Sequence, residues 1–231
     1  MIKHHPKFSL LQSFVDGELP ASLAAGIAIH AEMCPLCQQK ITQLTEQVAE
    51  ASFEENFTES FVSESIDSVV TTTATELDFD DIIGQITASD DVEPTKPVSV
   101  ERSVSFKGTE YVLPNALRNM ALGKTAQIGK LSRARILLDE GEIHTNLLHI
   151  GAGGSIPEHT HKGFELTLLL AGTFADEQGE YVQGDFIMLD KRHQHQPATE
   201  QGCLCYTVAN DALHFTQGIN KLLNPIGAFI Y

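Results

Sequence analysis

Apolar residues recur at helical spacing through the first 50 positions, fade across a long polar stretch, and return as short strand-like runs after residue 130. Leu10, Leu11, Phe14 and Val15 form one apolar stripe that ends at Gly17, which predicts a first helix. A second is predicted from Leu19-Pro20 through Leu23, Ala24, Ile27, Ala28 and His30, with Pro20 near its first turn. A third starts at Cys34-Pro35 and runs through Cys37, Ile41, Leu44 and Val48. Three helices in so short a stretch bury little, and such a core usually needs a staple.

Residues 52–75 are rich in Ser, Thr and Glu with little periodicity, and a flexible linker is expected over about 50–75. Leu77, Ile82, Ile83 and Ile86 lie near helical spacing, so residues 76–88 predict a short acidic amphipathic helix. Asp90-Asp91 and Pro94 and Pro97 end it. Apolar runs at 133–138, 145–150, 164–170, 186–189 and 203–208 follow, punctuated by Gly151, Gly153, Gly154, Gly172, Gly179 and Gly184. Short strands at this spacing suggest an antiparallel barrel or sandwich. The tail, 213–231, is expected to hold a closing helix. The fold class is therefore α+β: a helical segment with acidic linker over residues 1–92, and an antiparallel β-barrel over residues 93–231.

Composition sharpens this picture. The chain has 231 residues and a net charge of −16. An acidic surface repels nucleic acid and favours a basic partner, although it also serves solubility. No Lys or Arg occurs between Lys40 and Lys96, while acidic residues accumulate from Glu46 to Glu93. No stretch is long and apolar enough to span a bilayer. The opening MIKHHPKFSLLQSF lacks the features of a signal peptide, which points to the cytoplasm. The cysteines form two close pairs, Cys34/Cys37 and Cys203/Cys205, a spacing that suits metal or redox chemistry in such a compartment.

Two constellations carry candidate chemistry. The first is Gly-x5-His-x-His-x3-Glu-x6-Gly, running from Gly153 through His159, His161 and Glu165 to Gly172. Histidines one residue apart on a strand project from the same face, and a carboxylate four residues on completes three metal ligands. The second is His-x24-His-x3-Cys-x2-Cys, formed by His5, His30, Cys34 and Cys37. A closed His/Cys set of four suits structural Zn²⁺ and would supply the missing staple. His4 competes with His5 for the first place, and a redox Cys-x-x-Cys with incidental histidines is the alternative.

His5-Pro6, Gly17-x-Leu19 and His30-x3-Cys34-Pro35-x-Cys37 resemble the zinc-binding anti-sigma domain of bacterial anti-sigma factors. Over residues 1–49 and roughly 110–231 the chain resembles the ChrR-type factors, which join that domain to a cupin. Val112-Leu113-Pro114-x2-Leu117-Arg118, Pro157-Glu158-His159-Thr160-His161, Glu165-Leu166-Thr167-Leu168 and Cys203-x-Cys205 carry this wider likeness.

The resemblance implies a cupin metal, zinc, on His159, His161, Glu165 and a histidine just before x-Pro, which is His195; His193 is the runner-up. Chemistry alone would also admit Fe, Mn, Ni or Cu on such a set. The resemblance further implies an extracytoplasmic-function sigma factor as partner. It implies release under singlet-oxygen or organic-peroxide stress sensed through the cupin, with no catalysis and no direct contact with nucleic acid or membrane. Cys203 and Cys205 face the same side of their strand, either near the cupin site or as buried structural thiols. His144 and His149 precede the first cupin motif and are left unassigned. The rival reading is a cupin dioxygenase or isomerase with a zinc-binding appendage.

Overall fold

A computed structural model of the chain describes residues 1–56, 79–88, 101–211 and 214–215. It divides into two compact units: residues 1–49 together with 101–231, and residues 50–100. In the first unit, helices α1 (Phe8–Val15) and α2 (Ala21–Met33) precede α3 (Pro35–Asn56), which continues into the second unit. The second unit also holds α4 (Phe79–Thr87), within the segment expected to be an amphipathic helix. Helix α3 runs on into the stretch read as linker, because its Gln-, Glu- and Ala-rich sequence favours helix and contains no Gly, and no Pro after Pro35 at its first position. The rest of that linker, at 57–75, lies outside the described residues, as does nearly all of the expected closing helix.

The β-rich part begins with the hairpin of β1 (Ser103–Phe106) and β2 (Thr109–Val112). Strands β3 (Leu122–Ile128), β4 (Leu131–Ile136) and β5 (His144–Ile150) form an antiparallel meander. Next come β6 (Gly154–Ser155), β7 (His159–Thr160), β8 (Phe164–Asp176), β9 (Gly179–Val182) and β10 (Phe186–Asp190). The set ends with β11 (Gln194–His195), β12 (Ala198–Thr199), β13 (Cys203–Ala209) and β14 (His214–Phe215). The main sheet runs β3-β4-β5-β13-β8-β12-β6, with β9 and β10 also pairing with β8. Strands β11, β7 and β14 make a separate small sheet.

This is the expected antiparallel β-architecture, in the form of a curled half-barrel. Among the described residues no ladder joins the small sheet to the large one. Strands β7 and β11 are only two residues long, too short to close it by backbone pairing. Side chains fill the concave face instead: Leu148, Ile150, Leu169, Phe174, Ile187 and Leu189 form one core there.

The convex face of the same sheet is covered by the helices. Leu11, Leu23, Ile27, Ile29 and Leu44 share a second core with Leu166, Leu168, Tyr206 and Val208. Burial on both faces explains why Leu168–Leu170 reads as an unbroken apolar run, and why Glu165 and Thr167 before it are buried as well. Helix α2 sits against the sheet because Gly26 has no side chain; a Cβ there would lie 2.7 Å from Leu166 Cδ2. Tyr206 adds a buried hydrogen bond from its hydroxyl to the Ser22 carbonyl, at 2.7 Å. Helices and half-barrel thus share one core, and side chains from both meet around the two His clusters.

Candidate metal centres

The first cluster joins the N-terminal segment to the α2–α3 corner. His30 lies on the last turn of α2, and Cys34 caps that helix in an extended conformation before Pro35 opens α3. That sharp corner points Cys34 and, one turn on, Cys37 toward a common point, where His5 reaches them. His5 Nδ1 lies 3.4 Å from Cys34 Sγ and 3.5 Å from Cys37 Sγ. One ligand atom from each of His5, His30, Cys34 and Cys37 lies within 4.8 Å of the other three. A tetrahedral Zn²⁺ with bonds of about 2.0 to 2.3 Å sets its ligand atoms roughly 3.5 Å apart, so the spacing fits.

The protonation pattern fits too. His30 is fully buried, and its Nδ1 lies 2.7 Å from the Gly184 carbonyl oxygen. A carbonyl only accepts, so Nδ1 carries the proton and Nε2 keeps its lone pair. That Nε2 is buried with no hydrogen-bond partner, which is what an available ligand nitrogen looks like. Burial also holds the His30 pKa below its ordinary value, keeping the ring neutral. Burial and the neighbouring Cys34 push the metal-free Cys37 thiol up to about 11. His4, the competitor by sequence, is exposed and its ring packs on Tyr181 at 4.9 Å.

The second cluster lies on the concave side of the half-barrel. Strand β7 supplies His159, the following turn His161, β8 Glu165 and β11 His195, and these four also lie mutually within 4.8 Å. Antiparallel pairing sets His159 directly opposite His195, and their Nε2 atoms are 2.9 Å apart. His161 Nε2 and Glu165 Oε2 lie 2.7 Å apart without hydrogen-bond alignment, so both point lone pairs into one small volume. Burial lowers the His159 pKa, with His195 adding to it, to about 4. Burial would raise Glu165, but His161 and the other two rings outweigh it and hold the carboxyl at about 2. Three imidazoles facing one carboxylate form a donor set suited to a divalent cation.

Outer contacts orient these rings. Pro157 accepts from His159 Nδ1 at 2.9 Å, leaving Nε2 to face the cluster. The Asp176 carboxylate stands 3.5 Å from His195 Nδ1 and is in position to do the same for that ring. Sequence reasoning missed Asp176, because an acidic residue at a strand end before a turn carries no spacing signal. It left His193 open as an alternative; the structure turns that ring away to Asp190, at 2.9 Å, and leaves it half exposed.

A cavity of about 30 Å³ adjoins the cluster, bounded by His159, Glu165, His195, Ile156, Phe174 and Cys205. That volume holds roughly one or two waters. Cys203 and Cys205 are both buried in the concave core, and Cys205 reaches the cavity. The hydrogen bond with Cys203 and burial push the Cys205 thiol well above its ordinary value, which suppresses thiolate chemistry. His149 points to the opposite face, where it stacks on Phe106 at 5.6 Å beneath the β1–β2 hairpin.

Comparison with known proteins places this architecture. Residues 120–212 match the family described as the ChrR cupin-like domain. Over 227 residues the chain is 27% identical to the anti-sigma-E factor ChrR of Cereibacter sphaeroides, covering 97% of each chain. It also matches the ChrR chain in the crystal structure of Rhodobacter sphaeroides SigE in complex with the anti-sigma ChrR. That match has a TM-score of 0.60 and 24% identity, covering 90% of this chain and 100% of that one. The shared fold is a helical segment followed by a curled cupin sheet. The chain is thus similar to ChrR over almost its full length, with a His/Cys cluster in its helices and, behind them, a segment that matches the ChrR cupin-like domain.

Proposed function

We propose that this chain is a cytoplasmic anti-sigma factor that binds and inhibits an extracytoplasmic-function sigma factor. The observation that carries this reading is similarity over almost the full length to a protein named as an anti-sigma factor, beside the cluster of His5, His30, Cys34 and Cys37 in this chain. In this reading Zn²⁺ on those residues fixes the α2–α3 corner and so shapes the sigma-binding helices. The exposed side of α3, with Glu46 and Glu50, adds acidic residues that steer a basic partner. Helix α4 exposes Ile82, Ile83 and Ile86 at 37%, 56% and 67%. Burying one such side chain on a partner contributes about 1.5–3 kcal/mol. Three on one helix make an unspent docking stripe that a sigma factor would cover.

The cupin is proposed as the sensing module. A metal, zinc by resemblance, on His159, His161, Glu165 and His195 would respond to singlet oxygen or organic peroxide and shift the chain to a state with lower sigma affinity. A hundredfold loss of affinity requires a differential of about 2.7 kcal/mol between the two states. Catalysis is disfavoured by the site itself. Four protein side chains converge there, and the 30 Å³ beside them is far below the roughly 300 Å³ at which ligand pockets begin.

The test is co-purification of the chain with an extracytoplasmic-function sigma factor from the same genome. The parent chain should retain sigma and Cys34→Ala should lose it. His159→Ala should still retain sigma but fail to release it under singlet oxygen. Loss of retention in His159→Ala would refute this division of labour.

A further inference from the structure

The Gly184-Asp185 turn between β9 and β10 belongs to the cupin by sequence, yet it holds the N-terminal segment in place. Asp185 is fully buried. Its Oδ1 accepts from the backbone N–H of Lys3 at 2.6 Å and of His4 at 2.9 Å, while Oδ2 accepts from Val182 N at 2.8 Å. The Phe186 N–H donates back to the His4 carbonyl at 3.0 Å. The segment immediately before His5 is therefore bonded to the cupin at three successive backbone groups.

Gly184 adds a contact on the other side of the same cluster. Its carbonyl takes the proton of His30 Nδ1, which frees Nε2 for the cluster. Gly184 has φ +90°, and a Cβ there would lie 2.4 Å from Ile2 Cδ1, so only glycine lets the turn approach this closely.

We propose that this turn is a latch that completes the helical metal site: Asp185 positions His5 through the backbone of Lys3 and His4, and the Gly184 carbonyl orients His30. Two of the four cluster side chains thus take their geometry from the cupin. Strand β10 starts at this turn, and near its far end Leu189 pairs with Glu165 of the second cluster. A movement of β10 at the cupin cluster is transmitted to His5 and His30 over the length of one short strand. Asp185 is a positioning residue, and metal retention by the helices reports where that strand stands.

The inference rests on the proposal that the helical cluster holds Zn²⁺. It is tested on the full-length chain carrying His159→Ala, so that the helical site dominates the titration, with Zn²⁺ competed by a chromogenic chelator. Adding Asp185→Ala should weaken Zn²⁺ binding about 10–100-fold, the range for removing a group that supports a metal ligand. Lys3→Pro removes one N–H to Asp185 without touching the cupin core and should weaken binding in the same direction. If Asp185→Ala does not fold, Lys3→Pro decides the matter. Affinity unchanged in the folded variants overturns the latch. A His159→Ala background that binds no Zn²⁺ overturns the zinc reading instead, so the two failures are distinguishable.

Discussion

His30 shows how much one residue's surroundings decide. One ring nitrogen donates to the Gly184 carbonyl and the other is buried without a partner beside two thiols. A lone pair left this way is a cost to the metal-free fold, of about 1–3 kcal/mol, and a metal removes it. Removing a metal held there with a chelator is therefore expected to lower the melting temperature, and the drop should vanish in Cys34→Ala. His149 offers a second residue-scale test, away from both clusters. Burial against Phe106, with Lys107 adding to it, holds its pKa below the ordinary 6.5. The unfolded chain then takes up the proton first, so this contribution is present above pH 6.5 and is lost as pH falls from there through the folded value. His149→Phe should flatten the dependence of melting temperature on pH over that interval. His159 shifts in the same direction, so part of the slope will remain in the variant.

At the scale of elements, the contact between α2 and the sheet has a single permissive point. Gly26 lies against Leu166, Tyr206 and Phe186. Gly26→Val should destabilise the chain by about 1–3 kcal/mol through overpacking, read from the midpoint of denaturant unfolding. Helix α4 predicts the opposite pattern. Replacing Ile82, Ile83 and Ile86 with Ser should leave stability unchanged, because all three are exposed, while weakening sigma retention. Helices α1 to α3, α4 and the strand runs were legible because hydrophobic spacing reports local periodicity. The half-barrel was not, because whether a curled sheet closes depends on long-range ladders and on strands as short as β7 and β11. The close seating of α2 was equally hidden, since a glycine within a helix reads as a weak position until its neighbour is known.

For the whole molecule, the residues of both clusters could be picked out because ligands on one turn or one strand carry fixed spacings. The exceptions were the choices between His4 and His5 and between His193 and His195, which turn on where neighbouring backbone leads. Asp176 and Asp185 escaped notice for a related reason: each sits at a turn, where aspartate is common, and acts on a residue distant in sequence. These aspartates are also what tie the molecule together. One stands behind the cupin cluster, and the other fastens the N-terminal segment onto the cupin beside the helical cluster. In the proposed function such a chain binds its partner with one part and is adjusted by another. The measurement that tests this most directly is co-purification of the full-length chain with an extracytoplasmic-function sigma factor from the same genome, from the parent and from Cys34→Ala. The account predicts that the parent retains sigma in a defined complex and that Cys34→Ala does not. A parent chain that never retains sigma, under conditions where both proteins are folded, would contradict it.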